Sequence, residues 1–139
     1  MATITTLTVK NAKAVITAAQ LQDIVANPVN IIPAPGAGKA IQPLSVSIRT
    51  NHYGTDYADG LYADLCYGPA ANDTPCQISD RIAFSVLSGI SNFTTATPLV
   101  NGGIAEVENQ PINFTGPYNF TGNGGNVVVN VVYVVVSLT

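Results

Sequence analysis

Charge is what this chain has least of. Asp, Glu, Lys and Arg make up 9% of its 139 residues, against about 25% in an ordinary soluble domain. Five residues are basic, and the formal net charge is −3. Phosphate contact depends on clustered Lys and Arg, so this balance argues against nucleic acid as a partner. Soluble monomers use charge to stay dispersed. A surface this neutral predicts that much of it faces other protein; the plainer reading is a surface kept wet by Thr, Asn and Ser. The amino terminus, Met1-Ala-Thr-Ile-Thr-Thr-Leu7, lacks the basic region and apolar core of a secretory signal, which predicts synthesis without export. No apolar run reaches the roughly 20 residues of a spanning helix, and no membrane partner is expected.

Long apolar alternation is what the chain does have. Its last stretch, Asn126-Val-Val-Val-Asn-Val-Val-Tyr-Val-Val-Val-Ser-Leu-Thr139, is nearly all β-branched or aromatic, the composition that a packed pleated surface favours. Odd positions (Val127, Val129, Val131, Tyr133, Val135) and even ones (Val128, Val132, Val134, Val136) are both apolar. A half-solvated strand would alternate apolar with polar, so both faces are expected to be covered. The odd face is assigned to the core. The even face is assigned to the early helix or, in larger part, to another subunit.

The remaining elements read in order. Thr3 to Lys10 alternates Thr with Ile4, Leu7 and Val9, as a short strand or extended arm. Thr17-Ala-Ala-Gln20 is a capping box opening a helix of about three turns, with Ile16 and Leu21 as its hydrophobic staple; Asn27-Pro28 stops it. Strands follow at Val29–Ile32, Ala40–Thr50, Gly60–Tyr67 and Arg81–Leu87. In the second of these, Leu44, Val46 and Ile48 share a face, and Pro43 marks an edge or bulge. Ser88 to Val100 reads as irregular. Gly103 to Phe114 reads as two short strands around Asn109-Gln-Pro111. Short, evenly spaced strands with one helix predict a mainly β fold, a β-sandwich or jelly roll with one short N-terminal helix. Residues 1–12 are read as an arm or edge strand, and 13–139 as a single domain.

Several constellations resemble chemistry. Pro33-Ala-Pro-Gly-Ala-Gly-Lys39 resembles a phosphate loop, but that motif needs Gly where Pro33 stands and Ser or Thr where Ala40 stands. His52 is the sole histidine, with Asp56 and Asp59 near it. No Gly-x-Ser-x-Gly elbow accompanies it, so no catalytic role is expected. Asn51, Asp56, Asp59 and Asp64 could ligate Ca²⁺, but their spacing is not that of an EF-hand loop; no metal or cofactor is expected. Cys66 and Cys76 enclose nine residues. A disulfide there would contribute about 2–3 kcal/mol, while synthesis without export argues for thiols at first; the pairing stays open. Four sequons, at Asn72, Asn92, Asn113 and Asn119, read as Thr/Asn-rich loops rather than glycan sites. Asn113-Phe-Thr-Gly116 recurs as Asn119-Phe-Thr-Gly122, which reads as paired turns presenting Phe114 and Phe120 alike, to one groove.

Ile16-Thr-Ala-Ala-Gln-Leu21, then Asn27-Pro-Val-Asn-Ile-Ile-Pro-Ala-Pro-Gly-Ala-Gly-Lys39, Pro43-Leu-Ser-Val-Ser47, Tyr53-Gly54 and the Val-rich end resemble a family of small virion structural proteins of tailed bacteriophages and prophages. The likeness covers most of residues 13 to 67 and the C-terminus. It implies a virion location and no catalytic residues. With the low charge it predicts a capsid decoration, or cement, protein. Such a protein would lie on the outer capsid surface as a homotrimer bound to the major capsid protein, on a particle assembled in the host cytoplasm. The expected contact residues are Val128, Val132, Val134, Val136, Tyr53, Tyr57, Phe114 and Phe120. The alternative is a head-fibre or tail-fibre module that touches the host through its Tyr-rich loop and the Asn-Phe-Thr-Gly turns.

Overall fold

The structure is a computed structural model that describes residues 6–55, 62–68, 82–83, 91–94, 107–116 and 118–138. It is mainly β. The described strands are β1 (Lys10–Ile16), β2 (Val29–Ile32), β3 (Lys39–Thr55), β4 (Tyr62–Tyr67), β5 (Ile82–Ala83), β6 (Ser91–Thr94), β7 (Ile112–Thr115) and β8 (Asn123–Ser137), with one helix, α1 (Ala18–Leu21).

Early strands pair with late ones: β1 with β8, β2 with β7, β3 with β6 and β4 with β5, all antiparallel. The chain thus doubles back as a two-stranded ribbon. Further pairing of β3 with β8 and β4 with β7 rolls that ribbon into two four-stranded sheets, ordered β1-β8-β3-β6 and β2-β7-β4-β5. Each sheet must bury one face. One apolar cluster does this, joining Val46, Ile48, Val127, Val129 and Val131 of the first sheet to Leu65, Tyr67, Ile112 and Phe114 of the second. Tyr67 on β4 donates its hydroxyl to the Ile41 carbonyl on β3 at 2.7 Å, a polar tie through the interior from one sheet to the other.

The capping box forms as expected. The Gln20 backbone N–H donates to Thr17 Oγ1 at 3.2 Å, and the Thr17 backbone N–H donates to Gln20 Oε1 at 2.9 Å. The helix it opens is a single turn rather than three. After Leu21 the chain continues in turns to Ala26, closed by Asp23 N–H to the Gln20 carbonyl and Asn27 N–H to the Asp23 carbonyl. A helix this short has little cooperative stability of its own, and the β-branched pair Ile24-Val25 propagates it poorly. Tertiary bonds decide its end. Val25 N–H donates to Asn119 Oδ1 at 2.9 Å, and Phe120 N–H donates to the Leu21 carbonyl at 3.0 Å. Leu21 and Ile24 both enter the main core, so α1 does not cover the outer face of β8.

Three other expectations change. Ser91–Thr94, read as irregular, is β6 and pairs with β3 over Val46–Arg49. Val107 and Glu108, read as the end of a strand before Asn109-Gln-Pro111, already belong to the tight turn, which has Asn109 at φ 53°. Pro43 makes a bulge inside a sheet: it pairs with Tyr133, Ser45 pairs with Val132, and Leu44 is left out between them. Leu44 therefore leaves the face it was expected to share with Val46 and Ile48 and is exposed.

Candidate functional site

β1, β8 and β3 lie side by side, and their register fixes which side chains share a face. Ile16 with Val127, Ala14 with Val129 and Ile48, and Ala12 with Val131 and Val46 point into the sandwich. The intervening rows point outward: Val15–Val128–Arg49, Lys13–Asn130–Ser47 and Asn11–Val132–Ser45. Val15 is half exposed, while Val128 and Val132 are half-buried between their neighbours. Lys13 of β1 and Arg49 of β3 stand in these outward rows, and no Asp or Glu falls in any strand of this sheet. Along β8 the outer face thus reads Val128, Asn130, Val132, with one basic residue on each flank.

The even-numbered valines of β8 do not form one uniform patch. Val128 and Val132 belong to the outer face. Val134, opposite Gln42, is buried at 6% exposure without any second subunit. Val136 is half-buried and packs against the core cluster. The bulge at Leu44 explains the change, because a bulge bends its strand and raises the local twist, so β8 beyond Tyr133 no longer keeps the earlier division of faces.

Phe114 and Phe120 are not surface residues. They are 0% and 1% exposed, inside the core cluster. The Asn-Phe-Thr-Gly repeat does present its rings alike, but inward. Nor are its copies two turns: Asn113–Thr115 lies in β7, and the second copy is the loop that enters β8. Each Asn bonds a distant segment. Asn113 accepts from Asn30 Nδ2 at 2.9 Å and donates to the Gly68 carbonyl at 2.9 Å, tying β2, β7 and β4 together. Asn119 holds Val25. The amide of Asn113 is thereby engaged in the sheet, which supports reading its sequon as structural.

The glycine loop is occupied from within. Gly36 (φ 106°) and Gly38 (φ 73°) adopt a backbone that residues with a Cβ rarely take, and their N–H groups point to one side. Gly36 donates to Asn109 Oδ1 at 2.9 Å, and Gly38 to Glu108 Oε1 at 2.6 Å. Asn109 N–H returns to the Lys39 carbonyl, and Leu138 N–H to the Gly38 carbonyl, both at 2.8 Å. Donors that could cradle a phosphate hold the chain's own carboxylate instead. Cys66 is buried on β4, while Cys76 and Tyr57 lie outside the described residues. His52 and Tyr53 are placed by their backbone in β3. Among the described residues, no three His, Cys, Asp or Glu side chains gather as metal ligands would.

A groove of ≈ 600 Å³ opens at one end of the first sheet, between Thr6, Leu7 and Thr8 on one wall and Val135, Val136 and Ser137 on the other. Sequence reasoning missed it, since it arises where two neighbouring strands part company.

No protein-family model matches this chain, and no curated protein matches it. A solved structure described as the cyanophage Pam1 capsid asymmetric unit holds a chain of similar fold. The two are 15% identical, with a TM-score of 0.52 over 96% of this chain and 91% of that one. At that identity the likeness is one of fold, and it spans nearly the whole of both chains.

Proposed function

We propose that this chain is a decoration, or cement, protein of a phage head. One observation carries the reading: its fold is shared, over almost its full length, with a chain from a phage capsid. The strand order supports it. Pairs 1·8, 2·7, 3·6 and 4·5 in two four-stranded sheets are what a rolled ribbon gives, and we read them as a jelly roll, an architecture of viral capsid domains. The low charge fits a protein whose surface is largely spoken for by neighbours. In this reading the chain sits on the outer capsid surface as a trimer where capsomers meet. It acts by contact alone, with the major capsid protein as partner, and no catalytic step is assigned.

The mechanism is additive. A subunit bridging a seam buries surface on both sides, and a standard interface is about 1,600 Å² in total. Opening the seam then requires that area to be re-exposed at every bridged site. Particles stripped of the protein should release DNA at a lower temperature than intact ones, read by a dye excluded from closed heads, and adding the protein back should restore the difference. Equal release temperatures would remove the cement role. A cryo-electron microscopy map decides the placement: density repeating with the capsomer lattice fits decoration, whereas density confined to vertices or tail fits the fibre alternative.

A further inference from the structure

The first sheet ends in an incomplete ladder. β8 stays paired with β3 out to Lys39↔Ser137, but on its other side β1 pairs only as far as Lys10↔Tyr133. Among the described residues, no strand pairs with that side of β8 at Val134 to Val136. Strand residues offer backbone groups to both sides of the sheet, so this is an open edge. The ladder stops for a physical reason. Tyr133 is the residue opposite Pro43, where the bulge begins. Past the bulge β8 bends with β3, whereas Thr6–Val9 runs on from β1, and the ≈ 600 Å³ groove is the gap between them.

We propose that this edge of β8 is a strand-acceptor slot whose occupant is the segment Thr6–Val9 of a second copy of the chain. The segment has the right chemistry. It alternates Thr with apolar residues, holds no charged side chain from Met1 to Val9, and exposes Leu7 and Val9 at 45% and 62%. Natural sheets guard exposed edges with charge, Lys above all. Lys10 and Lys13 do this for β1; among the described residues, Thr6–Val9 and Val134–Val136 carry no charged side chain of their own, and only Lys10 and Lys39 reach the mouth of the groove between them. Each copy thus carries one uncharged, exposed segment and one unpaired stretch of edge, a one-to-one match. A copy's own segment leaves the ladder after Lys10 and lines the groove instead of pairing across it. Exchange with a neighbour's segment satisfies both groups by main-chain pairing. The inference concerns how copies join one another and does not rest on the decoration reading, so it is tested without particles.

The continuing antiparallel register sets Thr8 opposite Val135. In a Cys66→Ala, Cys76→Ala background, Thr8→Cys and Val135→Cys are placed on separate copies, mixed, unfolded and refolded together, and oxidised. The expected result is a disulfide-linked dimer on a non-reducing gel that neither variant forms alone. Absence of the mixed dimer overturns the proposal. So does a chain carrying both substitutions that closes the bond internally and stays monomeric, since the segment would then fill its own slot. A slot reserved for a strand of a different protein also gives no mixed dimer. If the cysteine-free background fails to fold, the otherwise unchanged chain lacking residues 2–8 is compared with the full chain by sedimentation. Loss of the oligomer is expected, and an unchanged size overturns the proposal.

Discussion

Phe114→Ala separates a core residue from a contact residue. The ring is fully buried on β7, directly opposite Val29 of β2 and Leu65 of β4, so it is the middle of a three-strand row facing the first sheet. Truncation loses the transfer free energy of the ring and leaves a cavity that the flanking strands cannot close; such changes cost about 3–5 kcal/mol. A domain's whole stability is about 5–15 kcal/mol, so about a fifth or more is at stake. With a urea slope of about 1–3 kcal/mol/M, the midpoint should fall by about 2 M at unchanged slope. Equilibrium urea unfolding by circular dichroism, alongside sedimentation of the same variant, reads both quantities. A Phe114→Ala chain whose midpoint stays within about 0.2 M of the parent, but whose oligomer dissociates, would refute the core assignment and restore the contact role that the Asn-Phe-Thr-Gly repeat suggests.

Tyr67→Phe should cost about 1 kcal/mol in the same unfolding assay, because it removes the donor to the Ile41 carbonyl without changing the ring. Asn109→Ala should cost about 2 kcal/mol, combining loss of the Gly36 bond with the strain of positive φ. Asn109→Gly should cost about 1 kcal/mol less than Asn109→Ala, and equal midpoints would show that the backbone there is not strained. Val128→Glu places a carboxylate opposite Arg49 on the outer face, so the chain should stay folded while any association through that face is lost; an unchanged sedimentation coefficient would exclude that face as an interface. Val134→Glu, by contrast, should lower the unfolding midpoint even in a monomer, because Val134 is buried within a single chain.

The sequence by itself settled what depends on neighbours along the chain. The Thr17–Gln20 cap, the irregularity at Pro43 and the strand character of the Val-rich end all follow from side chains acting within a few residues, and all are present, whereas the helix expected to run to Asn27-Pro28 ends at Leu21. So is the mainly β class, because alternation repeated along the chain admits little else. Tertiary structure decided what depends on distant partners. Period-two alternation shows that a strand has two faces but not what covers each, so Phe114 and Phe120 could be read outward when both point in. One unpaired residue, Leu44, shifts the faces of β8 beyond Tyr133, and no local pattern announces it. The length of α1 was set by bonds to Asn119 and Phe120, and the glycine loop by Glu108 and Asn109, some 70 residues away. The groove beside β8 exists only because β1 and β8 diverge at a bulge in a third strand. Such pairings join residues far apart in sequence, and their register is chosen by the packing of the whole ribbon rather than by either strand alone.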